Sequence, residues 1–132
     1  MFKGLDHIAI LVANTEEALT FYRDRLGLPV LVSEVVNGGA IRLTHLDMGN
    51  TQLQLVEPLE PNHPLHAHLL QQGEGLHHLC FSVENVEASM KTLTDSGLEM
   101  AQANPHQGTQ GKRAAFLAKS STRGVIFEIT GG

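Results

Sequence analysis

The chain has 132 residues, with 9 Lys and Arg against 14 Asp and Glu, a formal charge of -5, eight His and one Cys. That length suits one domain, since domains commonly run about 100–150 residues; a single Cys excludes an internal disulfide framework, and the acidic balance argues against nucleic acid, which needs clustered Lys and Arg. The longest apolar run, Ile8 to Ala13, is far short of the roughly 20 residues of a membrane span, and the N-terminus lacks the basic flank of a signal peptide, so the expectation is a soluble, cytoplasmic protein with no membrane partner.

In chain order, Leu5 to Val12 alternates as a strand, with Ile8, Ile10 and Val12 on one face and His7, Ala9 and Leu11 on the other. Asn14 followed by Glu17 has the form of a helix cap, and Ala18, Tyr22 and Leu26 recur at helical spacing until Gly27 and Pro29 stop the helix. Strand-like stretches follow at Val30 to Val36, Ile41 to Met48 and Thr51 to Glu57, with turns at Gly38-Gly39 and Gly49-Asn50. Residues 59–75 read as a connector with one short helix over Leu65 to Gln72. A fifth strand then starts at His78, Asn85 caps a helix that Gly97 ends, and three more strands are expected near Leu98 to Ala101, Arg113 to Ala118 and Gly124 to Thr130.

These elements repeat. His7 to Gly27, HIAILVANTEEALTFYRDRLG, lies over His78 to Gly97, HLCFSVENVEASMKTLTDSG, with one residue deleted. The expected fold class is α+β, one domain over 1–132 built from two β-α-β-β-β modules at about 5–58 and 76–131 with a helical linker at 59–75.

The repeat also pairs four polar side chains. His7 corresponds to His78 in the first strand of each module, and Gln54 in LQLVEP to Glu128 in FEITGG in the last strand. Leu53 and Leu55 flank Gln54 as Phe127 and Ile129 flank Glu128, so each polar group leaves the sheet face opposite its apolar neighbours. Two half-sheets related by approximate two-fold symmetry would gather two imidazoles, an amide oxygen and a carboxylate, a donor set for a divalent metal of the Mn, Fe, Co, Ni or Zn series. Taken singly, a strand-start His is ordinarily structural and a Gln or Glu between apolar residues is ordinarily a solvated face; the specificity lies in the matched set. His77 competes with His78, and strand parity selects His78.

The remaining polar groups carry less. His66 and His68 fall on the linker helix and read as surface residues, His63 as part of the helix start, and His45 and His106 have no repeat partner and no assigned role. Cys80 shares a face with His78 and reads as a packed thiol. Lys112 and Arg113 form a small basic spot that suits a phosphate or carboxylate, or a solvated hairpin end.

The stretches LDHIAILVAN, GEGLHHLCFSVENVEA, GTQGKRAAFL and RGVIFEIT resemble the vicinal oxygen chelate superfamily and, within it, the methylmalonyl-CoA epimerases. The combination GEGLHHL, GKRAAFL and GVIFEI is the part particular to the epimerase branch. The resemblance implies a metal-centred cup with ligands His7, Gln54, His78 and Glu128 and one divalent transition metal ion (Co, Mn, Ni or Zn) as cofactor. It further implies isomerisation at C2 of a 2-substituted malonyl-CoA such as methylmalonyl-CoA through an enolate, with Glu128 as catalytic base, and a homodimer. Lys112, Arg113 and Lys119 are the residues expected to bind the acyl-CoA substrate; the family's His-Pro-Lys-Ser stretch is replaced by AKSSTRGV around Lys119, and the strand where some epimerases place a Glu has Ala40, Ile41 and Arg42. A glyoxalase I type lyase acting on a glutathione hemithioacetal, and a metal-free small-molecule binding module, are the alternatives.

Overall fold

The computed structural model describes all 132 residues. The chain forms two compact units, Ile8–His77 and Met1–His7 together with His78–Gly132. No helix is long and apolar enough to cross a membrane.

In the Ile8–His77 unit, strands β2 (Val30–Val36), β3 (Ile41–Asp47) and β4 (Gln52–Pro58) lie side by side, with the second half of β1 (Gly4–Leu11) beyond β4. Both hairpins are antiparallel, and His45 on β3 stands opposite Gln54 on β4. The β2–β3 turn needs Asn37, Gly38 and Gly39, at φ 55°, 67° and 95°, in a left-handed run that side chains other than Asn and Gly resist. Helix α1 (Thr15–Tyr22) starts where Asn14 Oδ1 accepts the Glu17 N–H at 2.9 Å. Its first turn is anchored because Glu57 Oε1 accepts from both the Thr15 N–H and hydroxyl, at 2.9 and 2.7 Å. The helix stops at Tyr22, four residues before the expected Leu26, and residues 23–26 continue as turns up to Gly27.

The alternation in β1 divides the core as its pattern requires. Ile8, Ile10 and Val12 pack with Leu19, Leu46, Leu53 and Leu55, whereas Ala9 and Leu11 pack with Ile41, Val56 and residues of α2 (Pro64–Gln72). His66 and His68 on α2 are half-buried where surface positions were expected, because α2 lays one face on that second cluster; His68 meets His77 edge-on at 5.4 Å.

In the other unit the order is β5 (Gly75–Ser82), β8 (Phe127–Gly131), β7 (Arg113–Phe116) and β6 (His106–Gln107). β5 and β8 are parallel, with Cys80 opposite Glu128, and β7 pairs antiparallel with both β8 and β6. Helix α3 (Val86–Asp95), capped by Asn85, covers a core of Val83, Val86, Met90, Leu93, Ala115, Leu117 and Ile129.

Two expected strands are corrected. Residues 98–101 contribute only the isolated Met100–Leu117 bridge, and the edge strand is instead His106–Gln107. Leu98 and Met100 are drawn into the α3 core rather than into a ladder, which accounts for their strand-like apolar spacing. The last strand begins at Phe127, not Gly124, because Arg123 and Gly124 hold positive φ of 60° and 88° and close a turn.

Candidate metal centre

β1 delivers His7, β5 delivers His78 and β8 delivers Glu128. The parallel β5–β8 register aligns Cys80 with Glu128, so His78, two residues before Cys80, shares its side of the sheet. His78 Nε2 lies 3.1 Å from Glu128 Oε1, and His7 Nε2 lies 3.5 Å from the same oxygen. The two imidazole rings meet edge-to-face at 5.7 Å. One ligand atom from each of His7, His78 and Glu128 falls within 4.8 Å of the others, and all three residues are at least 91% buried.

Two imidazole nitrogens and a carboxylate oxygen, converging in a buried place, fit a divalent transition metal. Charged groups are rarely buried so deeply without a partner. Burial alone would raise the Glu128 pKa, but hydrogen bonds from His106, His7 and His78 outweigh it and hold the carboxyl well below the usual range. Burial alone would lower His7, but Asp6 and Glu128 outweigh it and raise its pKa above 6.5. Asp6 Oδ2 sits 2.7 Å from His7 Nδ1, so that Nδ1–H donates to the carboxylate and, in the neutral ring that a metal requires, the Nε2 lone pair is turned to the site. The Cys80 thiol is fully buried, and burial beside Glu128 and Asp6 pushes its pKa far up, so it is an inert neighbour.

Gln54 lies in the other unit, on β4, buried, with Nε2 3.2 Å from His45 Nε2. His45 Nδ1 is 2.8 Å from Gln52 Oε1. With Nδ1–H donating to that carbonyl, His45 Nε2 accepts from the Gln54 NH2, and the amide oxygen is the end turned elsewhere.

The three basic residues expected at the substrate stand in different settings. Lys112 Nζ is 3.4 Å from Asp6 Oδ1, Arg113 is ion-paired with Glu87, and Lys119 opens an exposed turn over Lys119–Ser121. The basic spot is therefore divided, with Lys112 reaching the carboxylate that orients His7 and Arg113 fastened to helix α3.

Asp6, His45, Gln102 and His106 carry structural roles around these groups that sequence pattern did not assign. His106 Nε2 is 3.2 Å from Glu128 Oε2. Its Nδ1 is 3.0 Å from Gln102 Nε2, and its ring stacks on Phe116 at 5.5 Å. For Asp6 the available signal was its place directly before the ligand candidate.

Known proteins share the sequence and the fold in which this geometry is built. Over 128 residues the chain is 32% identical to the mitochondrial methylmalonyl-CoA epimerase of Mus musculus, covering 95% of this chain and 71% of that protein. It is 28% identical over 131 residues to the ethylmalonyl-CoA/methylmalonyl-CoA epimerase of Cereibacter sphaeroides, covering 98% of each. A Streptomyces coelicolor methylmalonyl-CoA epimerase variant, solved in complex with 2-nitronate-propionyl-CoA, superposes with a TM-score of 0.91 at 28% identity, covering 100% of this chain and 99% of that one. Residues 6–116 match the family described as the Glyoxalase/Bleomycin resistance protein/Dioxygenase superfamily, and the chain belongs to that superfamily, with the α+β fold of its epimerases.

Proposed function

We propose that this chain is a metal-dependent epimerase that moves the proton at C2 of a 2-substituted malonyl-CoA, such as methylmalonyl-CoA, through an enolate. The observation that carries the reading is the convergence of His7, His78 and Glu128 on one buried point, in a chain similar to methylmalonyl-CoA epimerases along nearly its whole length. His7, His78 and Glu128 would hold the ion, and the internal repeat adds Gln54 as the fourth ligand. When bound, the ion supplies Lewis acidity that stabilises negative charge on the substrate's thioester and carboxylate oxygens.

The chain's own residues do the rest. Asp6 keeps the His7 ring turned so that Nε2 faces the site. The three histidines around Glu128 keep it ionised at neutral pH, the state in which it can accept a proton. Glu128 takes the C2 proton on a carboxylate oxygen, and the C–H electron pair passes into the enolate; a second acid or a water on the opposite face gives C2 its new proton, and Glu128 then releases the one it took to solvent. Lys112, Arg113 and Lys119 are proposed contacts for the acyl-CoA, and the whole is proposed as a single domain of two modules that works as a cytoplasmic homodimer.

The test pairs metal content with isotope exchange. Purified protein should hold one Co²⁺, Mn²⁺, Ni²⁺ or Zn²⁺ per chain and should incorporate solvent deuterium at C2 of methylmalonyl-CoA, with exchange abolished by chelator and restored by added metal. Metal without exchange overturns the epimerase reading and turns attention to lyase chemistry on a glutathione hemithioacetal. Failure to bind any of the four metals overturns the site.

A further inference from the structure

The two carboxylate oxygens of Glu128 have different surroundings. Oε1 faces His78 Nε2 at 3.1 Å and His7 Nε2 at 3.5 Å, while Oε2 faces His106 Nε2 at 3.2 Å. A neutral imidazole has one N–H and one lone pair, so the tautomer of His106 decides whether Oε2 is met by a donor.

Gln102 and Glu128 together set the tautomer. Gln102 Oε1 accepts the backbone N–H of Phe116 at 3.0 Å, and its Nε2 donates to the carbonyl of Asn104 at 2.7 Å. Those two backbone groups fix which end of the amide is which. Nδ1 of His106 is 3.0 Å from Gln102 Nε2 and 3.2 Å from Oε1; the NH2 still has a hydrogen to give, and the ionised Glu128 carboxylate 3.2 Å from Nε2 can only accept. Nδ1 is therefore the acceptor, and the proton of His106 resides on Nε2, directed at Glu128 Oε2. Stacking on Phe116, with the rings 18° apart, fixes the plane in which that N–H points.

We infer that Gln102 and His106 are a pair of positioning residues that keep Glu128 a one-oxygen ligand, leaving Oε1 to the metal and holding Oε2 back as the atom that receives the substrate proton. This inference rests on the metal-binding reading above. A carboxylate that closes on a cation with both oxygens fills a coordination position that a chelating substrate needs, and leaves no oxygen for the proton. The His106 N–H prevents that closure by occupying Oε2 from the side of β6, and Gln102 keeps the N–H there by occupying Nδ1.

The experiment has a metal-free and a metal-loaded arm. In metal-free protein, ¹⁵N NMR of the imidazoles should show neutral His106 protonated at Nε2. In Co²⁺-loaded protein, His106→Ala should lower the intensity of the visible d–d bands, as the coordination number rises when Glu128 closes with both oxygens, and should change Co²⁺ affinity by about 10–100-fold. His106→Gln, whose amide nitrogen falls near the place of Nε2, should restore the wild-type spectrum; His106→Asn, which is shorter, should not. If His106→Ala fails to fold, Gln102→Leu serves instead and should move the His106 proton toward Nδ1 and shift the Co²⁺ spectrum in the same direction. A proton on Nδ1 in the wild type, or an unchanged Co²⁺ spectrum in the variants, overturns the positioning role and leaves the metal reading standing. Wild-type protein that takes up no Co²⁺ overturns both.

Discussion

His106 and Glu128 meet at 3.2 Å across β7 from the two strands that flank it. His106 pairs with Ala114 on one side of β7 and Glu128 with Phe116 on the other, so the contact is diagonal, with Phe116 stacked under the His106 ring and edge-on to His78 at 5.1 Å. The carboxylate is thus gripped from three strands, which makes its chemistry sensitive to changes in any of them.

Glu128→Gln retains the shape and hydrogen-bonding reach of the side chain and removes its charge and basicity. Deuterium incorporation at C2 of methylmalonyl-CoA should fall by about 10²–10⁴-fold, the usual contribution of a positioned general base. Exchange within threefold of the wild type in a folded variant would remove Glu128 as the base.

Much of this architecture is readable from the residues, and the part that is not has a physical reason. Apolar alternation in β1 and β4 and the Asn14 and Asn85 caps placed His7, Gln54 and the helix starts, because those elements are long enough for a period to show. His106 sits on a two-residue strand, too short for any period, after a bend over residues 101–104. Only the observed register reveals its place in the repeat. His106 pairs with Ala114, two residues before Phe116, which faces Glu128; Glu34 pairs with Leu43, two residues before His45, which faces Gln54. Glu34 and His106 therefore hold matching positions in the two modules, and so do His45 and Phe116. A difference of one residue in the spacing from each edge strand to the next hides that match in the sequence.

The metal-free protein should have a stability optimum in pH set by its site. Burial opposes charge on both Glu128 and Asp6, but their imidazole and Lys112 partners lower both carboxyl pKa values, so their stabilisation is present above the ordinary carboxylate values of 4.5 and 3.8 and is lost as pH falls through the lowered ones. His7 is raised by Asp6 and Glu128 against its burial, so its stabilisation is complete below 6.5 and is lost as pH rises through the raised value. Thermal melts in the presence of chelator should therefore peak between about pH 4.5 and 6.5, and His7→Gln should flatten the alkaline limb. A metal-free Tm that still climbs from pH 6.5 to 8 would contradict this balance.

Gly131 is the one glycine whose side-chain space is taken by backbone. A Cβ there would overlap the carbonyl oxygen of Val83, where residues 130–132 dock on the segment after β5 and the Val83 N–H bonds to Thr130 O at 2.9 Å. Gly131→Ala must push the two backbones apart, and it should cost about 1–3 kcal/mol of unfolding free energy in denaturant titrations. Gly124→Asn, where nothing lies within 4 Å and φ is 88°, is the control; Asn tolerates that left-handed region, so it should cost less. Equal losses for the two would show that crowding at Val83 is not the cause.

His45 offers a test of Gln54 that does not alter Gln54 itself. Its Nε2, 3.2 Å from Gln54 Nε2, accepts from the amide NH2 only while its own proton stays on Nδ1 toward Gln52 Oε1. His45→Phe keeps a planar ring in a buried place and deletes that acceptor, so the Gln54 amide loses the contact that sets its orientation. If the amide oxygen is the fourth ligand, His45→Phe should weaken metal binding by about 10–100-fold, the usual cost of losing a group that orients a ligand. Gln54→Ala should lose at least as much, and the double variant should be no worse than Gln54→Ala alone, because both changes act on one oxygen. Losses that simply add would mean that the two residues act independently, and His45 would then be a packing residue; no loss in Gln54→Ala would remove Gln54 from the ligand set and leave His7, His78 and Glu128 as the whole of it.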